Sequence, residues 1–121
     1  VPLLLYALTM GEEEVERLSA LALANLSSER QCRDEYMTDD VVFDTFFPML
    51  QREKNDLRLQ IGRAVLHILS GANKNFKQRC VQHGILSALM PMSRDDDMQV
   101  RILAARLLAH LNSVRGISAS W

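Results

Sequence analysis

Three stretches of this chain repeat one another at nearly constant spacing, and this restricts the fold more than any other feature of the sequence. They are Val15–Leu26 (VERLSALALANL), Arg58–Leu69 (RLQIGRAVLHIL) and Val100–Leu111 (VRILAARLLAHL). With Leu26, Leu69 and Leu111 in register, the offsets are 43 and 42 residues. Leu18, Ile61 and Leu103 then coincide, followed by Ala22, Val65 and Leu107, and by Leu23, Leu66 and Leu108. Spacings of three and four put these residues on one face of a helix. Such units bury their apolar faces by stacking on one another.

A shorter apolar segment precedes each long one: VPLLLYAL from Val1, FDTFFPML from Phe43 and LSALMPMS from Leu86. Pro48 and Pro91 match under the same register. A proline there removes one helical hydrogen bond and meets the carbonyl four residues back, which predicts a kink or an early helix end. Polar stretches follow the first two long segments, SSERQCRDEYMTDD from Ser27 and SGANKNFKQRCVQHG from Ser70 to Gly84. Gly84 suits a sharp corner, because glycine takes positive φ without strain. Only SVRGISASW follows the third.

The boundaries agree with this reading. Gly11 stops one helix, and Glu12, Glu13 and Glu14 open the next, where the helix dipole favours negative charge. Asp95, Asp96 and Asp97 precede the third long helix, with one of them an expected N-cap. Capping explains both acidic triplets better than a metal or acid–base site does. No segment alternates in the manner of a strand. The expected fold is all-α, in units of approximately residues 1–40, 41–83 and 84–121.

Several functional classes fall away on composition. The chain is 48% hydrophobic and 24% charged, as folded domains are. Its 14 basic and 15 acidic side chains give a net charge of -1, and no nucleic-acid partner is expected. Val1–Met10 is too short to span a bilayer and lacks the marks of a signal peptide. Cys32 and Cys80 are far apart, without the spacing of a zinc site. They read as reduced thiols of an intracellular, cytoplasmic protein. His67, His83 and His110 sit in different units with no nucleophile beside them in sequence. No Gly-rich phosphate loop, HExxH or GxSxG occurs. The reading is therefore not an enzyme, with no cofactor and no metal. The chain opens on Val-Pro-Leu-Leu-Leu without an initial Met, and a segment of a longer protein is the expectation.

A unit of about 42 residues with a short, a medium and a long helix resembles the armadillo repeat. VERLSALALANL is similar to the family's third helix, with small and apolar core positions and a closing Asn-Leu. GANKNFKQRCVQHGILSAL is similar to the family's junction, where a first helix ends at a Gly and an apolar second helix follows. The resemblance implies a right-handed α-solenoid of about three armadillo-like repeats, whose long helices line a concave groove. Family members hold extended peptides there with a ladder of Asn side chains, since Asn offers a donor and an acceptor to any peptide unit. Carried onto this chain, the ladder falls on Asn25, Ile68 and His110, and the family's Trp on Leu21, Ala64 and Arg106. Only Asn25 matches, which speaks against binding of nuclear localisation peptides.

The expected function is a protein–protein interaction scaffold that takes a protein or extended peptide along the groove. Its expected lining is Arg17, Leu21, Asn25, Gln60, Ala64, His67, Ile68, Ile102, Arg106 and His110. Ala24 and Ala109 are further positions left over from the core. The mixture of apolar patches and arginines points to a partner with acidic and apolar side chains. Two alternatives accompany this. One is self-association, as a homo-oligomer, through apolar repeat ends such as Val1–Leu8. The other is a regulatory or targeting role within a larger multidomain enzyme.

Overall fold

The computed structural model describes residues 12–31, 42–51 and 55–112. Val1–Leu8, Gly11, Cys32, most of the polar stretch after Ser27 and the tail from Ser113 lie outside these residues. Among the described residues the regular structure is entirely helical. Long helix α1 spans Glu13–Leu26. A π-helical turn, Val42–Phe46, runs into the four-residue α2, Phe47–Leu50. The remaining helices are α3 (Asn55–Ser70), α4 (Lys74–Gln82), α5 (Ile85–Met92) and α6 (Met98–Leu111).

The helix ends follow local chemistry. Three acidic side chains, Glu13, Glu14 and Glu16, occupy the first turn of α1, against the positive end of the dipole. Asn73 caps α4 by accepting from the Phe76 N–H at 2.9 Å, and Asp97 caps α6 by accepting from the Gln99 N–H at 2.8 Å. Gly84 turns the chain from α4 into α5 at φ 89, in the left-handed region. Both prolines sit near helix termini: Pro48 is the second residue of α2, and α5 ends one residue after Pro91.

Stacking of the long helices builds the core. Helix α3 packs against α1 on one side and α6 on the other, while α2 packs on α3, α5 on α6, and α2 and α5 on each other. The result is an all-α solenoid with a row of long helices backed by short ones. Phe43 anchors the backing layer. Its ring meets Phe47 edge-on at 5.5 Å and Phe76 in a stack at 5.7 Å. The His83 ring stacks nearly parallel on Phe43 at 4.1 Å, and the Arg79 guanidinium sits 5.1 Å from the Phe43 ring centroid.

Burial corrects the repeat register. Buried positions recur at a uniform offset of 42 residues: Glu16, Arg58 and Val100; Ser19, Ile61 and Leu103; Leu23, Val65 and Leu107; Ser27, Leu69 and Leu111. The offset of 43 between the first two units is therefore one residue too long. One residue is about 100° of helical rotation, enough to move a side chain from core to surface. Leu18, placed in the core by the longer offset, is 51% exposed, and Ser19 takes the buried position. Ala20, Gly62 and Ala104 form a further buried column. A Cβ on Gly62 would run into the Leu103 side chain, so the glycine lets α3 and α6 approach closely.

A partly buried ion pair ties α3 to the start of α6. Arg58, buried on α3, donates to Asp95 Oδ2 at 2.7 Å, just ahead of α6. Asp95 Oδ1 also accepts from the Asp97 N–H at 2.9 Å. That backbone donor, then Arg58, holds the Asp95 carboxyl below its ordinary value of 3.8. Folding therefore favours the carboxylate. Its contribution is present above the ordinary value and is lost as pH falls through the folded one. Asp95→Asn should lower the melting temperature at neutral pH, and the gap to the unaltered chain should close in strong acid. Thermal melts at both pH values check this; a gap that does not change with pH contradicts it.

Candidate functional site

The exposed arc of the long helices is the candidate site. On α3 it comprises Leu59, Gln60, Arg63, Leu66 and His67, all half-buried, opposite the fully buried Ile61, Val65 and Ile68. Adding 42 to each of Leu18, Leu21 and Asn25 gives Gln60, Arg63 and His67, and the next step gives Ile102, Ala105 and Ala109. All nine are exposed or half-buried. The arc thus continues across the three helices.

A cleft of about 200 Å³ opens on this face between α3 and α6. Leu59, Arg63 and Leu66 line it from α3, and Gln99, Ile102, Leu103 and Arg106 from α6. Its walls are aliphatic with an arginine on each helix. The Arg63 guanidinium donates to Gln60 Oε1 on its own helix and to Asn25 Oδ1 on α1, at 3.4 Å. Neutral partners thus hold it across the α1–α3 junction. Arg106 is exposed. Among the described residues neither arginine has a carboxylate partner.

The other exposed arginines of the long helices are engaged at the helix starts. Arg17 reaches Glu14 at 3.6 Å, with both side chains largely exposed, so the pair adds little. Arg101 donates to the Asp95 and Asp96 carbonyls at 2.7 and 3.2 Å. Beyond their first turns α1, α3 and α6 carry Arg17, Arg63 and Arg106 and not one acidic side chain. Acidic residues gather instead at the N-terminal edge, in Glu12–Glu14, Glu16, Asp56 and Asp95–Asp97.

The expected lining divides accordingly. Arg17, Leu21, Asn25, Gln60, His67, Ile102, Arg106 and His110 are exposed or half-buried on the long helices. Of these, only Ile102 and Arg106 line the cleft. Ala64 and Ile68 belong to the core: both are fully buried, because α3 turns that side toward its neighbours. Ala24 is fully buried as well. Arg63, Leu59 and Leu66 are the lining residues that sequence reasoning missed. A uniform offset of 42 would have found Arg63, in the column of Leu21 and Ala105.

Burial pushes the Cys80 thiol up to about 12, partly offset by the Arg79 charge, so the thiol stays protonated at neutral pH. No group of three or more His, Cys, Asp or Glu among the described residues is arranged to hold a metal ion. No helix among them is long and apolar enough to cross a membrane.

No protein-family model matches the chain, and no curated protein does. Solved structures do match. A designed armadillo repeat protein in complex with the peptide (KR)4 superposes with a TM-score of 0.80 at 22% identity, over 93% of this chain and 47% of that one. A second designed armadillo repeat protein gives 0.79 at 16% identity, over 90% and 45%. The fold is an armadillo-type helical repeat. An engineered protein of 26% identity matches at 0.80, over 92% of this chain and 27% of its own length. The chain thus spans less than half the length of these structures.

The corrected register also moves the armadillo positions on this chain. With Asn25 as reference, the ladder column becomes Asn25, His67 and Ala109, and the column four residues earlier becomes Leu21, Arg63 and Ala105. Asn25 remains the one Asn and no Trp enters. What the face offers instead is an arginine held by Asn25 and an aliphatic cleft beside it.

Proposed function

We propose that this chain is a protein-binding scaffold module, holding an extended segment of a partner protein along the exposed face of its long helices. The cleft between α3 and α6 carries the reading: an aliphatic depression flanked by Arg63 and Arg106, neither paired with a carboxylate among the described residues. Apolar concavities with a few convergent polar groups are where ligands dock. The peptide complex of an armadillo repeat protein of the same fold supports an extended partner. The Asn25–Arg63 contact and the cleft support a mode different from an Asn ladder.

Selection from a random peptide library tests this. The selected peptides should bind the chain and lose affinity for an Arg17→Ser, Arg63→Ser, Arg106→Ser triple variant, whose circular dichroism should be unchanged. All three side chains are exposed or half-buried, so helicity should survive. A library that yields no binder, or binders indifferent to the triple change, contradicts the proposal.

A further inference from the structure

The charge distribution goes further than the scaffold reading, on which the following rests, and specifies the occupant. We propose that the long-helix face takes an acidic, aliphatic segment of another protein. An aliphatic side chain of that segment enters the cleft between α3 and α6, and its carboxylates meet Arg63 and Arg106.

Three observations carry this. The first is segregation of charge. The chain is nearly neutral, at -1, yet beyond their first turns its long helices present Arg17, Arg63 and Arg106 to the surface and no carboxylate, and only Arg17 of the three meets a first-turn glutamate, Glu14. A face of one sign in a neutral chain attracts the opposite sign. The second is preorganisation. Arg63 is held by Gln60 and Asn25, both neutral, so its charge is positioned without being cancelled. A guanidinium fixed this way gives up less freedom when it takes a carboxylate in a bidentate pair. The third is the cleft lining. Leu59, Leu66, Ile102 and Leu103 surround the space between the arginines, and Ile102 is 47% exposed. An aliphatic side chain seated there removes apolar surface from water on both partners.

The same features weigh against a nucleic acid. Binding of a single strand uses aromatic platforms on which bases stack. The exposed arc of the long helices contains no Phe, Tyr or Trp. The features also separate this face from one that takes (KR)4, the peptide bound by a designed relative in fold. A basic peptide would meet arginines of its own sign.

Fluorescence anisotropy with defined probes decides the matter. The probes are short synthetic peptides of alternating Glu and Leu, the uncharged counterpart of Gln and Leu, (KR)4, and an oligothymidine of similar length. The Glu–Leu peptide should bind about tenfold or more tighter than the Gln–Leu peptide, equivalent to about 1.4 kcal/mol. Its affinity should fall with rising salt, and (KR)4 should bind more weakly than either. An Arg63→Glu, Arg106→Glu double variant should reverse the order of the two charged peptides. Should that variant fail to fold, the peptide ranking and salt dependence of the unaltered chain still decide. Equal binding of Glu–Leu and Gln–Leu, or preference for (KR)4, overturns the acidic occupant while leaving a peptide scaffold standing. Tighter binding of oligothymidine overturns it in favour of a nucleic acid. No binding by any probe overturns it as well, and the random library then decides the scaffold reading separately.

Discussion

Phe46→Ala is expected to destabilise the chain by about 3–5 kcal/mol, as deletion of a large buried aromatic does. Phe46 is fully buried at the junction of the π-helical turn and α2, within the layer that backs α3. Truncation removes the ring's transfer free energy and leaves a cavity that neighbouring helices fill only in part. Small domains have about 5–15 kcal/mol of stability in all, so the variant should sit near its unfolding threshold at moderate temperature. Urea denaturation followed by circular dichroism checks this. A loss below about 1 kcal/mol would mean that the ring lies at the surface.

The second large effect comes as a contrast between two positions. Ile61→Asp should abolish cooperative folding, because it buries a carboxylate at a fully buried site between long helices. Leu18→Gln should change stability by no more than about 0.5 kcal/mol, as changes at exposed sites do. An offset of 43 residues makes these equivalent core positions; an offset of 42 makes Ile61 the equivalent of Ser19. Thermal melts of the two variants side by side discriminate the registers. Similar large losses at both would restore the longer offset.

The register error has a specific cause. In the first long helix the buried columns are occupied by Glu16, Ser19 and Ser27, where the third helix has Val100, Leu103 and Leu111. Ser27 is accommodated by donating its hydroxyl to the Ala24 carbonyl at 2.7 Å. Matching apolar with apolar residues therefore pulls Leu18 and Leu26 into columns that belong to Ser19 and Ser27. Hydrophobic periodicity is a strong guide to the existence of a helix and a weaker guide to its rotation when small polar residues line the core. The helices themselves, the Gly84 corner, the Asp97 cap and the prolines near helix ends were all legible, because each follows from local backbone chemistry.

The candidate site was legible only in part, for the same reason. Arg17, Asn25, Ile102 and Arg106 are correctly on the surface. Ile68 and Ala64 were assigned to it because the core stripe was drawn too narrow; α3 lies between two long helices and the short layer, so it buries Ala64 and Ile68 together with Ile61, Val65 and Leu69. Leu59 and Leu66 were lost by the converse error, since a cleft between helices is a tertiary feature with no sequence period of its own. The Arg58–Asp95 contact spans 37 residues and could not be read from either local pattern.

Amide chemical-shift mapping of the chain with a library-selected peptide tests the central claim most directly. The proposed function predicts that the largest perturbations fall on Asn25, Leu59, Arg63, Ile102 and Arg106, tracing one face across α1, α3 and α6. Perturbations concentrated instead on Phe47–Leu50 and Ile85–Met92, in the backing layer, would contradict it.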